Sequence, residues 1–325
     1  MSRPTESGMP AAIDPQAAAA LARNDEIVAA LGPAAPGIGG VREQFLASRA
    51  WWNEGGPRLA VDRDDVIPLS PQRQVRVAIY AAEASSTPRP AYVYLHGGGF
   101  RVGAPRSSDR QLRELAAAWG GIVVSLDYAH LPEAAFPTAV EETAAALQWL
   151  HAQGAQWGID TGRLAIGGSS AGANVAMGAA VHLGLAACGF LQAGVFVVGV
   201  FDDDLDTDAM RDHGGGPLLP SRESARAMFP VYAGRPGQRQ DPRFNARLAD
   251  LRNMPPLFLA AAEVDIYRDS SLLLAQRVRE AGRAATAKVY AGMTHLFWGY
   301  GRMVDAANAC TRDMADFLRE QLPAA

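Results

Sequence analysis

Short apolar runs alternate with helical segments through most of this chain, and that alternation limits the folds it can adopt. From about residue 64 onward, the runs have the length of buried strands and are bounded by Gly, Pro or polar turns. They are VIPLS, VRVAIYA, AYVYL, GIVVSLDY, RLAIGGSS, AGVFVVGVF, PPLFLAAAE and ATAKVYAG. Amphipathic helices are predicted between most of them. The pattern predicts an α/β fold, with a mostly parallel eight-stranded sheet and helices on both faces.

Two predicted helices precede this alternation. Residues 14–31 read as a helix with Asp14 as its N-cap and Pro15 at its first position, and LGPAAPGIGG ends it. Residues 41–54 form the second, in which Trp51 and Trp52 either line a pocket or pack the core. We expect 1–60 to be a small helical cap on a domain of residues 61–325. The segment 202–240 is far longer than an ordinary connection and is predicted to be a cap insertion.

Charge and hydropathy exclude several classes of function. The 30 basic and 34 acidic residues give a net charge of -4, and no segment concentrates Lys and Arg, so neither nucleic acid nor an anionic membrane is an expected partner. No apolar run approaches the roughly 18 residues of a spanning helix, and the N-terminus does not resemble a signal peptide. We expect a soluble cytoplasmic protein. Its oligomeric state is open, with a homodimer as one option.

The pentapeptide Gly168-Ser169-Ser170-Ala171-Gly172 fits the pattern G-x-S-x-G and stands between an apolar strand and a helix. In that context a strained turn lifts a serine hydroxyl above a sheet. The two glycines keep side chains out of the turn, and the N–H of Ala171 at the helix start is aimed at a developing oxyanion. The motif predicts Ser170 as a nucleophile, with a plain strand-to-helix turn as the alternative.

Three glycines follow the strand AYVYL directly, in the sequence His96-Gly97-Gly98-Gly99-Phe100. Without side chains to shield them, their backbone N–H groups can face a ligand, which predicts the second half of an oxyanion hole. A phosphate-binding loop would require G-K-[ST], or a G-x-G-x-x-G that opens a helix. The Phe-Arg-Val sequence that follows the glycines fits neither pattern and disfavours a phosphate site.

A serine nucleophile needs a histidine base, and one of the six histidines has the required placement. His295 follows the strand ATAKVYAG late in the chain, in agreement with the order serine, acid, histidine that accompanies this G-x-S-x-G context. The other five lie in the glycine motif, in an upstream loop, in predicted helices or in the cap insertion: His96, His130, His151, His182 and His213. We therefore predict His295 as the base.

Acidic residues at the end of the strand PPLFLAAAE are the candidates for the group that orients this histidine. Asp265 lies one or two residues past the strand end, where a loop can carry its carboxylate to His295. Glu263 is its closest rival, and Asp269 falls at the start of the next helix, where an acidic side chain stabilises the helix terminus. We expect Asp265 to be the acid, with simple loop capping as the alternative role.

Five segments, taken in order, resemble the hormone-sensitive-lipase-like esterases, the bacterial HGGG esterases of the α/β-hydrolase fold. HGGGF carries the family's glycine motif, GSSAGA is similar to its GDSAGG, DYAHLPEAAFP to its DYRLAPE…FP, and VDIYRD to its D-P-L-R-D. The fifth is His295 followed by Phe297. Ser169 and Ala173 replace the family's acidic residue and glycine, and Ala129 replaces its arginine, so the support of the nucleophile turn departs from the family pattern.

The resemblance implies a carboxylic-ester hydrolase that uses the serine, acid and histidine named above. It implies oxyanion donors at Gly98, Gly99 and Ala171, and a small-molecule ester as the partner; the mechanism requires no metal and no organic cofactor. Short acyl esters are expected, because the cap would roof the site. The alternatives are an amidase or other acyl hydrolase with the same triad, and a noncatalytic small-molecule receptor on the same fold. No substrate-binding residue is assigned.

Overall fold

An eight-stranded sheet organises the fold in the computed structural model, which describes residues 12–187, 189–216 and 218–323. The strand order is β1-β2-β4-β3-β5-β6-β7-β8, with β2 antiparallel to both neighbours and all other pairs parallel. The strands are β1 (Val61–Ser70), β2 (Arg73–Ala81), β3 (Arg89–Leu95), β4 (Ile122–Leu126), β5 (Ile159–Ser169), β6 (Leu191–Val197), β7 (Leu257–Val264) and β8 (Ala285–Thr294). The predicted α/β-hydrolase type of sheet is confirmed.

Helices cover both faces of the sheet. They are α1 (Pro15–Leu31), α2 (Gly37–Asn53), α3 (Asp109–Trp119), α4 (Thr138–Gln153), α5 (Ala171–Leu183), α6 (Asp208–His213), α7 (Arg222–Ala233), α8 (Arg268–Glu280) and α9 (Asp305–Gln321). Buried side chains of α1, α3 and α9 form the core on one face, and those of α4, α5 and α8 form it on the other. In the described part of the chain, no helix is long and apolar enough to cross a membrane.

Helix α2 begins four residues earlier than the sequence predicts. The break after α1 ends at Pro36, and the glycines of GIGG form the first turn of α2. Gly40 permits this because a Cβ there would lie 2.1 Å from the carbonyl oxygen of Ala35. Gly40 therefore lets the first turn of α2 lie against the backbone of Ala35, so the glycines of this segment belong to a helix and do not only separate two helices.

The carboxyl ends of four parallel strands bring the predicted site residues to one edge of the sheet. In the register of β3 with β5, Leu95 pairs with Gly168, so the glycine motif and the serine turn leave the sheet side by side. In the register of β7 with β8, Val264 pairs with Thr294, so the next residues, Asp265 and His295, are also neighbours. Ligands of parallel sheets bind beyond this edge.

An irregularity in β8 produces the second of these registers. Ala262 pairs with Tyr290, whereas Val264 pairs with Thr294, so two steps along β7 match four steps along β8. Gly292 lies within the extra residues and has a φ of 67°, a left-handed conformation that favours glycine. Because of the bulge, His295 follows β8 at the position where Asp265 follows β7, and the two residues are neighbours.

The start of α1 is fixed to this bulge. The backbone N–H of Asp14 donates to the carbonyl oxygen of Gly292 at 2.9 Å. The Asp14 carboxylate accepts hydrogen bonds from the N–H groups of Gln16 and Ala17 at 2.8 and 3.3 Å, which makes Asp14 the predicted N-cap. A cap side chain satisfies N–H groups that have no acceptor within the helix.

We predict that Asp14→Ala lowers the free energy of unfolding by about 1 kcal/mol, the usual cost of losing an N-cap side chain. Asp14→Asn is the matched control, because asparagine keeps a capping oxygen and should stay close to the wild type. Urea unfolding of both variants measures the difference. An alanine variant with the wild-type midpoint would show that the cap contributes nothing to stability.

Candidate active site

Ser170 lies in the turn between β5 and α5, in a strained backbone conformation. Its φ and ψ are 54° and -121°, values that are unfavourable for a residue with a Cβ. The N–H of Ser170 donates to the carbonyl oxygen of Val197 at 3.0 Å, and the N–H of Ala173 donates to the carbonyl oxygen of Ser170 at 3.1 Å. These bonds hold the strained turn against the end of β6 and the first turn of α5.

The two glycines of the G-x-S-x-G motif face the end of β3. A Cβ at Gly168 would lie 2.4 Å from the carbonyl oxygen of Leu95, and a Cβ at Gly172 would lie 2.3 Å from the same oxygen. Backbone atoms at those distances would collide with any side chain. Both glycines are therefore required by the contact between the serine turn and the glycine motif that follows β3.

A continuous hydrogen-bonded chain joins Ser170, His295 and Asp265. The Ser170 Oγ lies 2.8 Å from His295 Nε2, and His295 Nδ1 lies 2.8 Å from Asp265 Oδ2. Asp265 and His295 are 3% and 6% exposed, so the pair is largely shielded from water. The second oxygen of Asp265 accepts a hydrogen bond from the N–H of Tyr267 at 3.0 Å, which fixes the carboxylate. The structure brings together the three residues that the sequence predicts.

The rival acids have other partners. The Glu263 side chain accepts a hydrogen bond from the N–H of Gly292 at 2.7 Å and so stabilises the β8 bulge. Asp269 accepts a hydrogen bond from the N–H of Ala209 at 2.7 Å, which ties the start of α6 to the start of α8. Asp269 thus links α6 to α8, and it lies in the first turn of its own helix.

The glycine motif lies beside Ser170 with backbone conformations that require glycine. Gly98 and Gly99 have φ values of 139° and 59°, and a Cβ at Gly98 would lie 2.0 Å from the carbonyl oxygen of Val102. Among the described residues, no acceptor is found for the N–H groups of Gly98, Gly99 or Ala171. All three residues line the cavity at Ser170, where such amides are available to a developing negative charge.

Ser169 has a role that the sequence does not reveal. Its hydroxyl oxygen accepts a hydrogen bond from the N–H of Gly97 at 3.1 Å and lies 2.8 Å from the hydroxyl of Tyr94. Ser169 occupies the position where the resembling family has an acidic residue, and it still supplies an acceptor to the glycine loop. Ala173, the other replacement, is fully buried in the core. The serine turn is therefore linked to the glycine loop by the hydroxyl of Ser169, where the family has an acidic side chain.

A cavity of about 620 Å³ lies at Ser170 and is lined in part by residues of both segments that the sequence predicts to be a cap. Its apolar lining includes side chains from α1, α2 and α7 and from the loop before α7: Val28, Val41, Phe45, Leu219, Ala225 and Met228. Arg49 also lines it and donates to the carbonyl oxygen of Gly299 at 2.8 Å. Burial lowers the pKa of Arg49.

The two tryptophans of α2 pack the cap onto the rest of the chain. Trp52 is fully buried, with its ring 4.3 Å from that of Tyr300. The guanidinium of Arg302 lies 3.7 Å from the centre of the Trp51 ring. Neither tryptophan is among the described residues that line the cavity. Of the two roles considered for them, packing is the one observed.

Comparisons with known proteins identify the family and the fold. The chain matches the alpha/beta hydrolase fold family over residues 92–299. It is similar to a thermophilic carboxylesterase cloned from a metagenomic library, to which it is 30% identical. That match covers 88% of this chain and 98% of the carboxylesterase, with a TM-score of 0.83. It is also similar to a hyperthermophilic esterase from the archaeon Pyrobaculum calidifontis, with 27% identity, 95% and 98% coverage, and a TM-score of 0.86. A thermostable Pseudomonas putida esterase, 23% identical over 97% of this chain and 99% of that chain, shares the fold, with a TM-score of 0.84.

We predict that Ser169→Ala lowers the free energy of unfolding by about 1 kcal/mol, because it leaves the partly buried N–H of Gly97 without its acceptor. Amide hydrogen exchange in residues 96–100 should become faster. Ser108→Ala is the matched control: it removes the other hydroxyl near Tyr94, at 3.2 Å, and leaves the acceptor of Gly97 in place. Equal effects of the two substitutions would contradict the role assigned to Ser169.

Proposed function

This chain belongs to the alpha/beta hydrolase fold family, in its hormone-sensitive-lipase-like group, and we propose that it is a serine carboxylesterase of short-chain acyl esters. In terms of reaction class it is a carboxylic-ester hydrolase of the EC 3.1.1 type. The similar structures at 30% and 27% identity are a carboxylesterase and an esterase. The triad, the oxyanion donors and the acyl-chain preference are inferred from the geometry of this chain.

The observation that carries the proposal is the hydrogen-bonded chain from Asp265 through His295 to Ser170. The Asp265 carboxylate can only accept, so Nδ1 of His295 carries the proton and Nε2 is left to accept from the serine hydroxyl. That tautomer is the one a general base requires. A receptor that only binds a ligand has no need of a base placed against a serine hydroxyl.

The reaction follows from these contacts. His295 takes the proton of Ser170 as its oxygen attacks the ester carbonyl, and Asp265 stabilises the imidazolium that forms. The N–H groups of Gly98, Gly99 and Ala171 donate to the oxyanion, which lies beside the serine. His295 then protonates the leaving alcohol, and an acyl-enzyme remains on Ser170. Water, activated by His295, hydrolyses this acyl-enzyme and restores the serine.

Preorganisation of the amides is the main contribution of the fold. The glycine loop and the start of α5 hold their N–H groups before substrate binds, so no reorganisation is needed as charge develops. Losing one such donor in a serine hydrolase typically costs about 10²–10³-fold in kcat. The contact of Gly168 and Gly172 with the end of β3 keeps the two halves of the oxyanion hole together.

The cavity supports the preference for small esters. Its volume of about 620 Å³ falls in the range of small-molecule pockets, and residues from α1, α2 and α7 roof it. Apolar side chains such as Phe45 and Met228 provide surface for a short acyl or alcohol group.

We predict that Ser170→Ala and His295→Ala each lower kcat for p-nitrophenyl acetate by about 10⁴-fold or more, and that the double variant is hardly worse. Far-UV circular dichroism should show that each variant is folded, because the substitutions remove no apolar side chain of the core. A folded Ser170→Ala variant that keeps more than about a tenth of wild-type kcat would overturn the nucleophile assignment.

The acid is tested by a matched pair of substitutions. Asp265→Asn should lower kcat by about 10⁴-fold, because it imposes the wrong histidine tautomer. Glu263→Gln keeps an oxygen for the N–H of Gly292 and should lower kcat by less than about 10-fold, since only the bulge is affected. If Glu263→Gln proves the more damaging, Glu263 is the acid.

We predict that kcat/KM is highest for p-nitrophenyl esters with acyl chains of roughly C2 to C6, because the roofed cavity has room for a small ester. A series from acetate to laurate, measured below the solubility limit of each ester, checks this. A value that rises steadily through the longest chains, or a rate that jumps when the ester forms an interface, would contradict a preference for short chains.

A further inference from the structure

A cluster of two histidines and one aspartate lies behind the glycine motif and takes no part in the proposed reaction. His96 follows β3, and Asp127 and His130 follow β4, its parallel neighbour. Leu95 pairs with Leu126 in this register, so His96 and Asp127 leave the sheet side by side. One potential ligand atom from each of the three side chains lies within 4.8 Å of the other two.

The hydrogen bonds of His96 leave one of its ring nitrogens free inside the protein. Its Nδ1 lies 3.0 Å from the carbonyl oxygen of Gly97, an acceptor, so the neutral tautomer that makes this hydrogen bond has its proton on Nδ1 and a lone pair on Nε2. The His96 side chain is fully buried, and its Nε2 has no hydrogen-bond partner in the described part of the chain. This nitrogen instead lies 3.9 Å from Asp127 Oδ1, beyond hydrogen-bond distance.

His130 also has a ring nitrogen without a partner. Its Nε2 is buried and, among the described residues, has no hydrogen-bond partner. Its ring centre is 5.2 Å from that of His96. Two buried imidazole nitrogens without hydrogen-bond partners therefore belong to one cluster with a carboxylate, and unpartnered buried polar atoms are unfavourable unless a further group, such as a cation, binds among them.

We propose that His96, Asp127 and His130 bind a divalent first-row transition metal of the Zn²⁺ type. Two imidazole nitrogens and one carboxylate oxygen are a ligand set that such ions prefer, and a water completes a tetrahedral site. At the usual metal–ligand distances, ligand atoms lie about 3.4 Å apart. The distance of 3.9 Å between His96 Nε2 and Asp127 Oδ1 is close to that value. The ligand atom of His130 lies within 4.8 Å of the other two, and a small shift of its partly exposed loop would bring it to bonding distance of a shared metal.

The surroundings prepare these three groups as ligands. Arg76 donates to Asp127 Oδ2 at 2.8 Å, which orients the carboxylate and leaves Oδ1 for the metal. The Gly97 carbonyl orients His96 in the same way. His130 has a buried Nε2 with no hydrogen-bond partner among the described residues, so this nitrogen is available to a metal.

The site would brace the glycine loop and would not react with substrate. His96 immediately precedes Gly97, Gly98 and Gly99, so a metal here ties the start of the oxyanion loop to the chain that follows β4. Tyr128 already holds His96 from that side, with stacked rings 4.8 Å apart and its hydroxyl donating to the His96 carbonyl oxygen at 2.8 Å. His130 stands where the family pattern quoted above has leucine, so this ligand belongs to this chain.

Titration with Co²⁺ tests the proposal without using ester hydrolysis. The untagged full chain, stripped with a chelator, should show saturable visible d–d absorption with one Co²⁺ per chain, and Zn²⁺ should displace it. Zn²⁺ should also raise the Tm of the chain, because it binds the folded state. The absence of saturable Co²⁺ binding to the wild-type chain would overturn the proposal.

Substitution of single histidines locates the site. His130→Leu should weaken Co²⁺ binding at least about 10-fold, and His182→Leu, on α5, should bind as the wild type does. Asp127→Asn provides a second ligand variant if the leucine variant fails to fold. Wild-type affinity in a folded His130→Leu or Asp127→Asn variant would contradict the ligand assignment, as would equal losses in His182→Leu.

Discussion

The close approach of backbone between the end of β3 and the turn after β5 is the constraint on which the site depends. Gly168 and Gly172 both face the carbonyl oxygen of Leu95 at distances that exclude a Cβ. Because this contact is made by backbone, it fixes the nucleophile turn and the glycine loop relative to each other. The strain in Ser170, with a φ of 54°, is tolerated only because the surrounding sheet and helix α5 hold the turn.

Local patterns were enough to predict most of the fold and the three residues that the structure brings together at the candidate site. Strand runs and the Asp14 cap are properties of neighbouring residues, and both appear as expected. Ser170 and His295 could be chosen from motif context and chain order, since parallel strands deliver their carboxyl ends to one edge. Asp265 was preferred over Glu263 by its position past the strand, and the structure places it against His295.

Contacts that depend on register between distant segments could not be predicted. The β8 bulge at Gly292, and the use of Glu263 to hold it, follow from pairing that no local pattern encodes. Ser169 looked like a loss of support for the turn until its contacts with Gly97 and Tyr94 were visible. The His96–Asp127–His130 cluster forms only because β3 and β4 are adjacent, although they are separated in sequence by α3.

The account rests on covalent catalysis by Ser170, and reaction with a fluorophosphonate measures that most directly. After incubation of the folded chain with the reagent, tandem mass spectrometry should find one adduct, on Ser170 and not on the adjacent Ser169. The His295→Ala variant should react far more slowly, because the hydroxyl then lacks its base. No adduct, an adduct on another residue, or an unchanged rate without His295 would contradict the account.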